Sequence, residues 1–455
     1  MAGMATANFT NAMKTLYLEP LEDQIVRKKV ILSRLEKNSE DIEGNFAYVA
    51  LETTRNPGVG FRKDISGDGP HLPEHGRGGY SNATFDMAFH YGRGKVSGPV
   101  MRRSKSNSGA FAKALDQEMK NLSLTAPEDL NRKCWVSGHG RAATLASNIT
   151  ATTATSFVVR SDSYFPAKIN DRVYFATISS GAKIASTPDS ATITNIERDT
   201  SISGSSSTTQ HRVTISTTAG AAVTASTDAL YFGNQVGTAG MTTFDSSHGQ
   251  TMHGIPDVCN PGNMGSEEGV VGNAAEYLAG SLNYGGIDRS SNSFWKAQDL
   301  NNGGSNRALT VALLQQAWLT QTTVGGVEPG RAEIYTNPGL WATMGLLFVG
   351  DRRLSESMTV VGGFTAIKFN DSLIFFDRDC PRDVIWFLDM DAIMLLTQGG
   401  YEFINDDGST LRDVKDRDAW EFTIVRDVNI GARKCKSCLK LDDITSSVTG
   451  VEANE

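Results

Sequence analysis

Apolar and polar residues alternate along two stretches near the start of the chain. The first, Phe46 to about Thr54, opens with Phe46, Tyr48 and Val49. In the second, Thr84 to Tyr91, residues Phe85, Met87 and Phe89 are spaced by Asp86, Ala88 and His90. A period of two predicts half-buried strands. Between them lies Asn56 to Ser81, rich in glycine and charge and too polar to hold a core of its own. Two strands joined by more than about twenty such residues make a long protruding hairpin, and loops of that length are usually functional or disordered. The period then becomes helical. Phe111, Leu115, Met119 and Leu122 fall on one face, with Lys105, Lys113, Asp116, Glu118 and Lys120 expected in water. Pro127 reads as the opening of a second short helix carrying Leu130 and Trp135. Upstream, Pro20 opens a helix with Leu21, Ile25, Leu32 and Leu35 on one face and Arg27, Lys28 and Lys29 on the rest. A single amphipathic helix with no adjacent core segment must dock, either on its own body or on another subunit.

Residues 141–250 differ in composition. They hold thirty-seven Ser or Thr, fourteen charged residues and no Cys or Trp. Short β-type runs stand out at Ser156–Arg160, Arg172–Ile178, Ala191–Ile196, Arg212–Ser216 and Ala229–Phe232, separated by turn-rich stretches such as Thr200–Gln210. The Val, Ile, Tyr and Phe content of these runs favours a small all-β module inserted into a larger unit over a disordered Ser/Thr linker. From about Gly262 helices and strands mix. Thr310 can cap a helix containing Val311, Leu314, Ala317 and Trp318, and Asn337 before Pro338 caps another through Leu346. Phe364–Phe369 and Leu373–Phe376 flank Asn370-Asp371 as a hairpin, Val384–Leu388 reads as buried, and Trp420, Phe422 and Ile424 alternate late in the chain.

With 455 residues and 39% hydrophobic content, the chain can bury a proper core. Its formal charge of −8 argues against non-specific wrapping of DNA or of an anionic membrane. Five scattered cysteines, Cys134, Cys259, Cys380, Cys435 and Cys438, argue against a disulfide scaffold. The first residues lack a basic start and an apolar core, so no signal peptide is expected; no apolar run approaches a spanning helix, and a soluble protein made in the cytoplasm, without a membrane partner, is expected.

Chemical motifs are few. His71-Leu72-Pro73-Glu74-His75 matches H-x-x-E-H, but Pro73 and the surrounding glycines forbid the helix that would aim both histidines at one zinc ion. Cys435-Lys436-Ser437-Cys438 is a lone CxxC without a second ligand pair. Asn405-Asp406-Asp407-Gly408 fails the calcium-loop spacing. Asp377, Asp379, Asp389 and Asp391 could supply an acid–base pair, yet aspartates at strand ends are more often turn formers. The expectation is therefore no enzyme, no catalytic residue, no metal and no cofactor. An arm and a hairpin that cannot bury themselves imply partners instead.

The order of these parts resembles the major capsid protein of tailed double-stranded-DNA bacteriophages, with the Hong Kong 97-like fold. Phe46–Arg62 with Pro73-Glu74-His75-Gly76 and Thr84–Gly98 is similar to that family's extended loop, and Met101–Leu122 to its spine helix. Tyr284-Gly285-Gly286-Ile287-Asp288-Arg289 with Phe294-Trp295, Ile334-Tyr335-Thr336-Asn337-Pro338 with Trp341, and Asp377-Arg378-Asp379-Cys380-Pro381 resemble segments common in these coat proteins.

The resemblance implies an α+β chain of seven parts. These are an N-terminal arm (1–41), an extended loop with its base strands (42–99), the spine helix of a peripheral domain (100–140) and an inserted β-rich domain (141–256). An axial domain (257–410), a late peripheral strand (411–432) and a C-terminal segment (433–455) follow. It further implies hexamers and pentamers closing into an icosahedral head around double-stranded DNA, contacted non-specifically, in a virion assembled in the host cytoplasm. Portal, scaffold and decoration proteins are the implied partners; any scaffold is expected to be encoded separately. Intersubunit contacts are expected from Arg62, Lys63, Asp64, Asp68, Glu74 and Arg77 at the loop tip and from Arg27, Lys28 and Lys29 in the arm. The competing readings are a nanocompartment shell of the same fold, a β-rich tail or adhesin protein, and a hydrolase using Asp377 or Asp379.

Overall fold

The computed structural model describes residues 29–61, 73–99, 108–138, 140–160, 167–177, 184, 187, 191–197, 210–225, 227–232, 251–262, 283–303, 306–350, 358–360, 364–405, 410–415 and 417–445. The expected contacts Arg27, Lys28, Arg62, Lys63, Asp64 and Asp68, together with Pro20, Leu21, Ile25, His71 and Leu72, lie outside these residues.

A short helix α1 (Val30–Arg34) leads into β1 (Glu36–Asn38), β2 (Ile42–Glu43), β3 (Phe46–Thr54), β4 (Gly79–Asp86) and β5 (Ala88–Ser97). Val30, Ile31, Leu32 and Leu35 are buried in the protein's own core, and Leu32 N–H donates to Asn131 Oδ1 at 3.3 Å. Of the two docking sites open to the arm, residues 30–38 thus use their own subunit: β1 pairs in parallel with β19 (Ile393–Leu396).

Strands β3 and β4 form the hairpin, from Phe46↔Asp86 to Thr54↔Gly79. The sequence reads Thr84–Tyr91 as one strand, but the chain breaks pairing at Met87, and β5 leaves the hairpin for a different sheet. Helix α2 (Ser108–Lys133) follows. It runs through Pro127, where a second helix was expected. The hydrogen bond missing at the proline is outweighed by burial of Ala126 just before it and of Leu130 and Asn131 just beyond it.

The inserted module comprises β6 (Arg141–Thr144), β7 (Ser156–Arg160), β8 (Arg172–Thr177), β9 (Ala191–Glu197), β10 (Gln210–Ile215) and β11 (Asp228–Phe232). The sheet order is β6-β11-β8-β9-β10-β7, and a bridge between Leu145 and Val159 joins its two edges into a small closed barrel. Closure removes the exposed strand edges that a Ser/Thr-rich sheet would otherwise present. Phe157, Val159, Val173, Phe175, Ile193, Val213 and Leu230 fill it, with Phe157 and Phe175 edge to face at 5.2 Å. The chain leaves and returns side by side. Asp257, in the short helix α3 (Ile255–Val258), accepts from Gly138 N–H at 2.7 Å, from Gly254 N–H at 3.0 Å and from the Ser137 hydroxyl.

The remainder contains β12 (Gln298–Leu300), β13 (Arg307–Ala308), α4 (Val311–Thr323), β14 (Ala332–Thr336), α5 (Pro338–Gly350), β15 (Met358–Val360), β16 (Phe364–Phe369), β17 (Ser372–Phe376), β18 (Ile385–Asp389) and β19. After these come β20 (Glu402–Phe403), β21 (Arg412–Asp413), β22 (Ala419–Ala432), β23 (Leu439–Leu441) and β24 (Ile444–Thr445). A seven-stranded mixed sheet, β12-β23-β18-β14-β17-β16-β15, packs α4 and α5. Both caps are those the sequence predicts: Thr310 Oγ1 accepts from Leu313 N–H at 3.2 Å, and Asn337 Oδ1 from Gly339 N–H at 2.8 Å. Asn370 and Asp371 turn the β16–β17 hairpin at φ of 44° and 67°, the left-handed region their short polar side chains tolerate. The fourteen-residue β22 organises the other large sheet. Its first half pairs with β5, β20 and β21, and its second half with β19.

Candidate assembly surface

Strand register sorts the hairpin side chains onto two faces. Ala47, Val49, Leu51, Ala83 and Phe85 are buried, each 7% exposed or less. The platform beneath them is the segment Tyr284–Trp295. Gly285 sits at φ 64°, and a Cβ there would lie 3.1 Å from Ala83 Cβ and 3.2 Å from Phe85 Cζ, so glycine serves both the turn and the close approach. Tyr284 packs on Phe85 at 5.1 Å and on Trp295 at 6.1 Å. Its hydroxyl donates to Ile430 O at 3.1 Å, while Trp295 Nε1–H donates to Tyr284 O at 2.8 Å. Buried Arg289 places its guanidinium 5.2 Å from the Tyr284 ring and donates to Val258 O and Gly262 O. The motif read from the sequence therefore seats the hairpin base.

The opposite face is aromatic and exposed. Phe46, Tyr48 and Tyr80 project from β3 and β4, and Val59 and Phe61 lie beyond them toward the tip, Phe61 fully exposed. Pairing aligns Tyr48 with Thr84 and Glu52 with Tyr80, so these side chains share one surface. Strand β5 continues the pattern. Phe89 and Tyr91, stacked at 6.2 Å, are both more than half exposed, whereas His90, Gly92 and Gly94 face α2 and β22. Scattered exposed hydrophobics are ordinary, but Phe46, Tyr48 and Tyr80 on one hairpin face, with the Phe89–Tyr91 pair on the next strand, are more exposed aromatic surface than scatter accounts for.

The expected polar contacts are only partly visible. Glu74 and Arg77 are exposed near the tip, and Lys29 is half-buried beside α1. Residues 73–78 are not helical, so the H-x-x-E-H geometry is not formed there. Among the described residues no group of three or more His, Cys, Asp or Glu could hold a metal ion. Cys435 and Cys438 are buried and free, and burial pushes the Cys435 thiol up to about 12. The exposed aromatics escaped sequence reasoning, which favoured charge. For Phe46 and Tyr48 the signal was present in the alternation, opposite in phase to buried Ala47, Val49 and Leu51; Phe89 and Tyr91 keep the phase of buried Ala83 and Phe85 and are exposed only because pairing breaks at Met87.

A second cluster joins the barrel to α2. Arg132 pairs with Asp129 and with Asp171 of the barrel at 2.5 Å, and its guanidinium lies 5.7 Å from the Phe232 ring. Lys168 bridges to Glu128 at 3.0 Å. Asp129 also meets His90 Nε2 at 3.1 Å, and Tyr401 reaches His90 Nδ1 at 3.0 Å. Burial would raise the Asp129 carboxyl, but the Arg132 charge and the His90 contact hold it well below the ordinary range.

No protein-family model matches this sequence, and no curated protein does. Solved structures do. A chain of the cyanophage A-1(L) capsid asymmetric unit aligns over 97% of this chain and 99% of its own, with a TM-score of 0.54 and 12% identity. A chain from Mycobacterium phage Bobi aligns over 98% and 100%, at a TM-score of 0.43 and 7% identity. The SrpI encapsulin of Synechococcus elongatus PCC 7942 aligns over 34% of this chain and 56% of its own, with a TM-score of 0.27 and 13% identity. The cyanophage comparison shows that this chain has the fold of a phage capsid chain along nearly its whole length.

Proposed function

We propose that this chain is a shell-forming major capsid protein of a tailed bacteriophage. The full-length likeness to the cyanophage A-1(L) capsid chain is the observation that carries the reading. The face of exposed aromatics on a hairpin whose other face is already buried supports it. In this reading β5, β22 and α2 belong to a peripheral domain, the seven-stranded sheet with α4 and α5 to an axial domain, and the barrel is an insertion between them. Subunits associate as hexamers and pentamers, with each hairpin lying across a neighbour. The aromatics supply buried area there, while Arg62, Lys63, Asp64, Asp68, Glu74 and Arg77, with Arg27, Lys28 and Lys29 of the arm, set register. The closed icosahedral head encloses double-stranded DNA, which a subunit of net charge −8 does not grip. Portal, scaffold and decoration proteins complete a virion built in the host cytoplasm. The role is structural, not catalytic, and needs no cofactor.

Replacing Lys63–Gly79 with a short Gly-Ser turn tests the clamp. Circular dichroism and the melting temperature of the subunit should stay close to wild type, because the buried hairpin face lies outside the deletion. Light scattering should lose the particle or capsomer signal. Normal, equally stable particles from the deletion variant would refute it.

A further inference from the structure

We propose that Asp377 and Asp379 form a proton-dependent latch that fastens α2, and through it the inserted barrel, to the seven-stranded sheet. The two carboxylates follow β17 and meet the C-terminal end of α2. Asp377 Oδ2 accepts from Asn131 Nδ2 and from Trp135 Nε1, each at 3.2 Å, and its Oδ1 accepts from Asp379 N–H at 3.0 Å. The same Asn131 amide reaches Asp379 Oδ2 at 3.1 Å, while its Oδ1 is held by Leu32 N–H. One amide thus bridges both acids and is itself fixed by the N-terminal segment. Asp377 is 1% exposed and Trp135 and Asn131 are fully buried, so the inner carboxylate is shielded from solvent, while Asp379 is partly buried.

The charged and titratable surroundings are mixed. From α2 come Glu128 and Cys134, from the barrel Lys168, from the turn after β17 Arg378 and Cys380, and from β22 Arg426, which acts on Cys134. Lys168 lies 3.9 Å from Asp379 and Arg378 lies 3.8 Å from Glu128, so both cations sit toward the outer carboxylates. Arg34 of the N-terminal segment is taken by Glu333 of β14 and covers the Phe375 ring at 5.1 Å. Asp377 has two neutral side-chain donors and one backbone donor, but no cation among its contacts.

Burial and the Asp379 charge raise Asp377 from its ordinary 3.8 to about 6, outweighing the Asp379 N–H, Trp135 and Asn131 donors, which favour the ionised form. The folded state therefore binds a proton, taken from solvent, that the unfolded state has released. The stabilisation is complete below about 4 and is lost as pH rises through about 6, a bias of roughly a hundredfold in the opening equilibrium. Above that pH the junction holds two carboxylates, one buried and one partly buried, on one amide and opens more readily. No catalytic role is needed to explain the pair, and the latch acts in a single subunit whether or not the chain assembles.

Hydrogen exchange by mass spectrometry on the full chain, in a fixed assembly state at pH 5.0 and 7.5, tests this. After correction for intrinsic rates, peptides covering 126–136 and 373–381 should exchange at least tenfold faster at pH 7.5, while peptides within β22 stay level. In Asp377→Asn the two pH values should give the same corrected rates at the junction. Asp379→Asn, which removes the neighbouring charge, should move the midpoint to lower pH and decides the matter if Asp377→Asn fails to fold. Equal protection of the wild type at both pH values, a pH dependence surviving in Asp377→Asn, or an unmoved midpoint in Asp379→Asn would overturn the proposal.

Discussion

At Gly94 the strand leaving the hairpin is pressed close against the rest of the sheet. It pairs with Phe422 of β22, and a Cβ at this position would lie 2.2 Å from Phe422 Cζ and 2.7 Å from Cε1 and Cε2. Ordinary contact would require the ring to move by more than ~1 Å, yet Phe422 is only 1% exposed and has no free volume to enter. Forced overpacking costs about 1–3 kcal/mol, and swinging the ring out forfeits about 1.5–3 kcal/mol of burial. Alanine in place of a strand glycine returns about 0.4–1 kcal/mol through the unfolded chain. Sterics win, and Gly94→Ala should lose ~2 kcal/mol in urea denaturation of the subunit, at unchanged m-value. Trimming the ring should relieve the clash, so Gly94→Ala with Phe422→Leu should be more stable than the sum of the two single changes predicts, by at least ~1 kcal/mol. A Gly94→Ala protein within about 0.5 kcal/mol of wild type, or strict additivity in the double variant, would refute the packing argument.

Three further outcomes follow from other contacts. Tyr48→Ser and Tyr91→Ser change exposed side chains, so subunit stability should stay within about 0.5 kcal/mol of wild type while assembly measured by light scattering weakens. Burial would raise the Asp257 carboxyl, but His253, Ser137 and the Gly138 N–H hold it below its ordinary value, so its stabilisation is present at neutral pH and is lost as pH falls below about 4. Melting curves of Asp257→Asn should accordingly show a loss of about 2–4 kcal/mol at pH 7 that narrows toward pH 3; a gap constant with pH would contradict the assignment. Arg132→Met removes the link to Asp171 and should make the barrel junction cleave severalfold faster in limited proteolysis, with the barrel itself intact.

Local pattern carried much of this fold. All five strands expected in the Ser/Thr-rich module are present within about two residues of their expected ends, because each buries a β-branched or aromatic run. The sixth, Arg141–Thr144, has too little apolar contrast to be seen alone; it is a strand because β11 pairs with it. Barrel closure through Leu145 and Val159 is likewise a long-range fact that no local period encodes. Pro127 misled for the converse reason: tertiary burial of Leu130 and Asn131 outweighs the local helix-breaking penalty. For the candidate surface, charge drew attention to the hairpin tip, whereas the exposed aromatics emerge only once the opposite strand face is known to be buried. Asp377 and Asp379 were legible as an acidic pair. That Asn131 and Trp135, some 240 residues earlier, complete their shell was not.

The central claim is that this chain builds a closed shell. Electron microscopy of the purified full-length protein, alone and with its candidate scaffold, tests it most directly. The account predicts closed particles with hexameric and pentameric units, in which the Phe46–Tyr48 and Phe89–Tyr91 face is covered by a neighbouring subunit. A protein that stays monomeric under every condition, or assembles with that face open to solvent, would contradict it.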